Sequence, residues 1–338
     1  MSDGEQRSDR FDDLVAALPE RDRRRARHLL DTVEELFAQR PATIDLKITS
    51  AALDEMAEAF AMFAPYRDVP KVSIFGSART APDDPLYRQA RDVAAELASA
   101  GYMVVTGAGP GIMQAAMEGA GRERSIGVSI RLPFEQGANP VIAGDEKYVS
   151  MKYFFTRKLM LVKESKAFVC LPGGFGTLDE TFELLTLTQT GKGLPVPIVF
   201  LDTPGDPYWE SVHEFVVEQL VKRRLVAEAD TRLYLVTDSC AAAAAEIDRF
   251  YRNYDSLRYV GDLLVLRMRV APDDAALASL NDRFGHLCKK GSIQRLDPLD
   301  PERREGDRLD LARIGFVFAK HGYGELRSMI DAINDLAP

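Results

Sequence analysis

The chain of 338 residues predicts an α/β protein: a doubly wound parallel sheet, preceded by N-terminal helices and followed by a small C-terminal α+β module. Three observations predict it. From Lys71 onward, short apolar runs alternate with stretches of helical spacing. Glycine turns follow three of those runs, at Gly76, Gly107 and Gly173. After Tyr251 the strict alternation gives way to another order of strands and helices.

The elements follow in order. Residues 1–10 are polar and acidic, predicting a disordered segment and no signal peptide. Residues 11–39 read as helix, because Phe11, Leu14, Leu18, Leu29, Leu30, Val33 and Leu36 fall at helical intervals, with a break near Pro19. A second helix is expected from about Ser50 to Phe63. Lys71 to Phe75 is a strand ending in Gly76-Ser77, and Leu86 to Ala100 a helix closed by Gly101. Tyr102 to Thr106 is a strand that runs into Gly107-Ala108-Gly109-Pro110-Gly111, and a helix follows from Ile112 to Gly121. Ser125 to Leu132 is a strand, Tyr153 to Glu164 a helix, and Ala167 to Leu171 a strand that enters a second glycine loop. The helix from Thr181 to Gln189, the strand Val196 to Leu201, the helix Tyr208 to Arg223 and the strand Leu233 to Thr237 complete a Rossmann-like pattern. Beyond Tyr251 the expected order is strand (263–270), helix (274–287), strand (292–296), strand (312–319) and helix (324–336), with a charged loop at 300–308. That order suits a ferredoxin-like module. Three segments are therefore expected: an N-terminal helical extension over 1–66, a nucleotide-binding catalytic domain over 67–250, and the small module over 255–338.

Composition narrows the function classes. A net charge of −9 argues against general nucleic-acid binding, and the basic run Arg21 to Arg27, flanked by acids, reads as a solvated helix face. No apolar run reaches membrane-spanning length, so neither a membrane nor a nucleic-acid partner is expected. Cys170, Cys240 and Cys288 are too scattered for a metal site or a disulfide framework, which points to a reducing, cytoplasmic setting. His28, His213, His286 and His321 have no ligand spacing, and no metal is expected. The Gly107 to Gly111 turn lacks the third glycine of a dinucleotide fingerprint, since Ile112 stands there, and the next strand ends in Ile130-Arg131 with no acid for a ribose diol.

The most informative stretch is Pro172-Gly173-Gly174-Phe175-Gly176-Thr177-Leu178-Asp179-Glu180. It joins a strand's carboxyl end to a helix's amino end, where free N–H groups and the helix dipole favour phosphate. Its glycines let backbone approach a ligand closely. Glu180 would repel a phosphate, so binding alone does not account for it; it suggests chemistry beside the phosphate. Arg157-Lys158 lies on the helix leading into this loop, where an arginine reaching the crevice can fork onto phosphate or developing negative charge.

Gly76-Ser77, the Gly107 to Met113 turn, Arg157-Lys158 and the Pro172 to Glu180 loop occur in the order seen in the Lonely Guy (LOG) family, the cytokinin riboside 5′-monophosphate phosphoribohydrolases. The chain resembles that family over roughly residues 70–240. The resemblance implies Arg157 and Glu180 as catalytic residues. It implies Gly76, Ser77, Gly107, Gly109, Gly111, Met113, Lys158, Pro172, Gly173, Gly174, Phe175, Gly176, Thr177 and Thr186 as substrate-binding residues, with Glu135 as an upstream acidic binding residue. Phe155, Thr156 and Leu187 depart from the plant-type members around the base pocket. No lysine stands in a pyridoxal-type context, so lysine decarboxylation has no support in the chain.

The implied reaction is hydrolysis of the N-glycosidic bond of a purine riboside 5′-monophosphate, N6-modified or not, to free base and ribose 5-phosphate, without a cofactor. Glu180 would steady the cationic sugar or orient water; Arg157 would serve either the departing base or the phosphate. A general AMP nucleosidase and a non-catalytic nucleotide-binding regulator are the alternatives. The resemblance also implies a homodimer or higher homo-oligomer.

Overall fold

The computed structural model describes residues 11–132 and 137–337. It divides into two units, Met1–Glu55 and Met56–Pro338.

In the first unit residues 11–17 are helical (α1), Pro19 is extended, and α2 runs over Glu20–Ala38. Proline has no N–H to continue a helix, so α1 stops and α2 begins immediately after it. The next helix, α3, covers Thr43–Phe63 and carries the chain into the second unit. It starts nearly two turns before the expected Ser50. The Asp45 carboxylate accepts the Ala42 N–H at 3.1 Å, which supplies a start signal upstream of the β-branched residues. The N-terminal extension is therefore shorter than the expected 1–66, with residues 56–66 grouped in the second unit.

The second unit is built on a seven-stranded sheet, β1 (Lys71–Phe75), β2 (Met103–Thr106), β3 (Ser125–Ile130), β4 (Tyr148–Met151), β5 (Ala167–Cys170), β6 (Ile198–Leu201) and β7 (Leu235–Thr237). The order is β4-β3-β2-β1-β5-β6-β7, and every pair is parallel. This is the doubly wound sheet expected. Alternate residues serve opposite faces. Phe75, Val105, Val128, Phe168 and Phe200 pack with Phe63, with α6 (Phe154–Glu164), α7 (Phe175–Gln189) and Trp209 of α8 (Tyr208–Phe215). Val72, Ile74, Val104, Val169 and Val199 pack on the other side with α4 (Pro85–Ser99), α5 (Ile112–Ala120) and α9 (Cys240–Phe250). Burial on both faces explains why the strands read as continuous apolar runs.

The chain then forms β8 (Tyr254–Val260), β9 (Leu263–Met268), α10 (Asp274–Phe284), β10 (Cys288–Arg295), α11 (Asp300–Glu305), β11 (Ala312–Phe318) and α12 (Tyr323–Asn334). Its antiparallel sheet has the order β10-β11-β9-β8. The ferredoxin-like order expected from sequence is therefore replaced by two strand pairs, each followed by a helix. The missed strand is β8, whose register slips between Tyr254 and Ser256, so the bulge breaks the period-two signal. The charged 300–308 loop contains α11. Glu302, fully buried, pairs with Arg267 and Arg313 on the sheet face opposite the apolar core. This module shares one unit with the seven-stranded sheet: Arg327 pairs with Glu246, and the side-chain Oδ1 of Asn334 accepts the N–H groups of Asn253 and Tyr254.

Candidate active site

Three loops meet at the carboxyl ends of β2, β1 and β5. The sheet order puts β1 between the other two, so this is the point where successive strands change direction, the usual crevice of such a sheet. Backbone bonds stitch the loops together. Ser77 N–H donates to the Pro172 carbonyl at 3.1 Å, and the Ser77 carbonyl accepts the Ile112 N–H at 3.0 Å.

Packing demands some of the glycines. A Cβ on Gly76 would lie 2.7 Å from Cβ of Ile112, and one on Gly173 would lie 2.7 Å from Cβ of Thr177. Gly111 has φ +67°, and a side chain there would strike the Ser77 carbonyl. Gly174 and Gly176 differ, because open space surrounds their Cβ positions. Gly174 precedes α7 with no side-chain cap, so the first turn of α7 offers bare N–H groups at the crevice. Phe175 projects there at 94% exposure, whereas Thr177 is buried.

Arg157 and Glu180 come together. Nη1 of Arg157 donates to Oε1 of Glu180 at 2.8 Å, and Nε donates to the Val128 carbonyl at 3.0 Å. Nη2 lies under Gly107, where any Cβ would collide with it, and the Met113 sulfur closes the same spot at 2.7 Å from that Cβ position. Gly109 is likewise crossed by the Met113 methyl. The arginine is 8% exposed. Burial pushes the Glu180 carboxyl above its usual range, although Arg157 and Lys158 oppose the shift. The site thus holds a partly desolvated acid beside a fixed cation.

Lys158 goes elsewhere. Its ammonium pairs with Asp179 at 2.6 Å and Glu183 at 2.8 Å, tying α6 to α7. Thr186 is exposed and turns its hydroxyl back to the Phe182 carbonyl at 2.8 Å. Glu135 lies outside the described residues.

Two residues that shape the loops carried no motif. Tyr208 donates its hydroxyl to the Gly173 carbonyl at 2.7 Å, and Asn139 Nδ2 donates to the Gly109 carbonyl at 3.1 Å. Asn139 N–H also donates to the carbonyl of Ala108, a residue held at φ +58°. Positive φ at a non-glycine inside a glycine turn was the available sign of constraint, and it is invisible in sequence.

A groove of about 1490 Å³ runs along the other side of α6 and α7. It is lined by Phe60, Phe154, Phe155, Leu159 and Leu194 among others, and includes neither Arg157, Glu180 nor the glycine loops. Among the described residues, no group of three or more His, Cys, Asp or Glu side chains is placed to hold a metal ion, and no helix is long and apolar enough to cross a membrane.

Residues 111–247 match a protein-family profile described as "Possible lysine decarboxylase". The chain is 31% identical over 148 residues to the "Probable cytokinin riboside 5'-monophosphate phosphoribohydrolase LOG6" of Arabidopsis thaliana, covering 41% of this chain and 72% of that protein. It is 28% identical over 187 residues to the "Probable cytokinin riboside 5'-monophosphate phosphoribohydrolase LOGL1" of Oryza sativa subsp. japonica, covering 53% of this chain and 82% of that protein. Among solved structures, the molybdenum cofactor carrier protein of Chlamydomonas reinhardtii is 20% identical, over 54% of this chain and 97% of that one, at a TM-score of 0.36, too low to bear on function.

Proposed function

This chain belongs to the Lonely Guy (LOG) family, and from that premise we propose that it hydrolyses the N-glycosidic bond of a purine riboside 5′-monophosphate, releasing free base and ribose 5-phosphate. The observation that carries the reading is the Arg157–Glu180 pair, 2.8 Å apart, set where three glycine loops converge.

The 5′-phosphate binds at the uncapped start of α7, against the N–H groups around Gly174 to Thr177, so that binding energy from a remote group positions the reacting bond. Glu180, one turn into α7, then lies toward the sugar. As the bond to the base lengthens, positive charge develops at C1′, and the Glu180 carboxylate stabilises it and orients the attacking water. Water's oxygen bonds to C1′, the bonding pair leaves with the base, and the base gains a proton. Arg157 holds Glu180 in place and contributes positive charge beside the departing group or the phosphate. The active form contains at least two copies of the chain.

The test is ribose 5-phosphate release by the purified full chain from AMP, N6-isopentenyl-AMP, GMP and CMP in parallel. Release from isopentenyl-AMP above AMP supports the cytokinin-type preference. Equal or greater release from AMP assigns a general nucleosidase. Nucleotide binding without release from any of the four would leave a regulatory binding protein and refute catalysis.

A further inference from the structure

The N-terminal unit exposes large apolar residues on both α2 and α3. No residue of α2 is fully buried. Its apolar residues Ala26, Leu29, Leu30, Val33, Leu36 and Phe37 recur at three- and four-residue intervals and form one stripe, yet Leu29 is 53% and Phe37 60% exposed. The start of α3 is apolar on two opposite sides, one carrying Ile44 and Ile48 and the other Leu46 and Leu53, all of them exposed. A helix with such an exposed apolar stripe is covered in bundles, where a second helix supplies the missing surface.

The charges of α2 say which second helix. Its first half bears Arg21, Arg23, Arg24, Arg25 and Arg27 against Glu20 and Asp22, and the charges of its second half are all acidic, Asp31, Glu34 and Glu35. No basic residue stands in the last turn. A helix's own dipole favours cations at its carboxyl end, so acids there gain nothing from the isolated helix. Among the described residues most of the arginines find no acid nearby: the ion pairs of α2 are those of Asp22 with Arg21 and Arg25, both at 3.7 Å. A helix basic in one half and acidic in the other complements its own reverse.

We propose that α2 pairs antiparallel with α2 of a second copy of this chain, about a two-fold axis near Leu29 and Leu30. Arg24, Arg25 and Arg27 of each copy then flank Asp31, Glu34 and Glu35 of the other, and the apolar stripes meet between them. Such an interface is isologous, with the same patch on both sides. Parallel pairing would set like charges against like and is disfavoured by the same residues. The apolar stripe supplies affinity and the charges supply orientation. This interface does not rest on the hydrolase reading; an inactive protein would still form it.

The test is sedimentation velocity of the full chain, with circular dichroism to verify helix content. One variant carries Arg24→Glu, Arg25→Glu and Arg27→Glu; a second carries Asp31→Lys, Glu34→Lys and Glu35→Lys. Each alone should sediment at half the wild-type mass, and an equimolar mixture should return to the wild-type mass. A chain with all six changes should self-associate again. A monomeric wild-type chain overturns the proposal, as do variants that keep the wild-type mass or a mixture that stays small. Loss of binding to anionic vesicles in the first variant, with mass unchanged, would also overturn it and assign the basic half to a polyanionic surface.

Discussion

Replacing Glu180 by Gln isolates the part of the mechanism that depends on a carboxylate's charge. The amide oxygen can still accept the Arg157 Nη1–H bond that the carboxylate accepts at 2.8 Å, so the loops need not move. What disappears is one negative charge in a site where the glutamate side chain is only 12% exposed. A unit charge about 4 Å from a cationic sugar, at an effective dielectric near 20, is worth about 4 kcal/mol. The neighbouring Arg157 offsets part of that, leaving about 3–4 kcal/mol of transition-state stabilisation, or roughly 10²–10³-fold in turnover. The buried Arg157 guanidinium keeps a hydrogen-bond acceptor but loses its counter-charge, so stability should fall by about 1–3 kcal/mol, and turnover is compared in protein shown to be folded. The assay is single-turnover release of ribose 5-phosphate, paired with thermal unfolding of the same preparations. Because the Glu180 carboxyl is raised, the wild-type rate should fall with acidification at a pH above the usual carboxylate range, and the residual rate of the variant should lack that limb. Turnover within about threefold of wild type in a folded Glu180→Gln protein would refute the role given to this residue.

Gly107→Ala should abolish turnover while leaving the sheet intact, because the added Cβ displaces the Arg157 guanidinium; comparing activity with circular dichroism checks it. Tyr208→Phe removes the hydroxyl that holds the Gly173 carbonyl, and should raise KM severalfold with little change in kcat, at a stability cost of about 1 kcal/mol; steady-state kinetics and denaturant unfolding read both. In the C-terminal module, burial acts to raise the Glu302 carboxyl, but the Leu299 N–H and Arg267 outweigh it and hold the group below its usual range. A depressed carboxylate stabilises the fold above its unfolded-state value and loses that contribution as pH falls toward the folded-state value. Thermal unfolding between neutral and acidic pH should therefore show a decline that Glu302→Gln flattens. That variant should cost about 3–5 kcal/mol at neutral pH, since Arg267 and Arg313 lose a buried partner.

The sheet was legible because its inner strands are buried on both faces. Lys71–Phe75, Met103–Thr106, Ala167–Cys170 and Ile198–Leu201 leave almost no polar interruption. β4 was missed because Tyr148 and Ser150 are only half-buried at the sheet edge, which gives four residues with little signal. α9 was missed because its run of alanines has helix propensity but offers no large apolar residue before Ile247. In the crevice, glycines could be located because backbone crowding admits nothing else. The division of labour between Arg157 and Lys158 could not be read, since adjacent helical residues point about 100° apart. One side chain enters the crevice while its neighbour clamps Asp179 and Glu183 on α7. Tyr208 and Asn139 act across 35 and 30 residues of chain, a separation that local pattern does not span.

The far end of α7 has its own consequence. Gln189 on its last turn bonds Asp230, the backbone of Ala229 passes so close to Gly324 that no side chain fits there, and the Tyr323 ring lies hard against Gly191. The helix that begins at the glycine loop is thus clamped at its exit by the last helix of the chain. Trimming this protein after residue 250 to mimic its shorter relatives would strip away that clamp. It would also expose the ring of Phe250 to water, because Tyr251 and Tyr254, which pack on it, leave with the module. Removing the C-terminal module therefore disturbs the helix that starts at the glycine loop as well as the module itself.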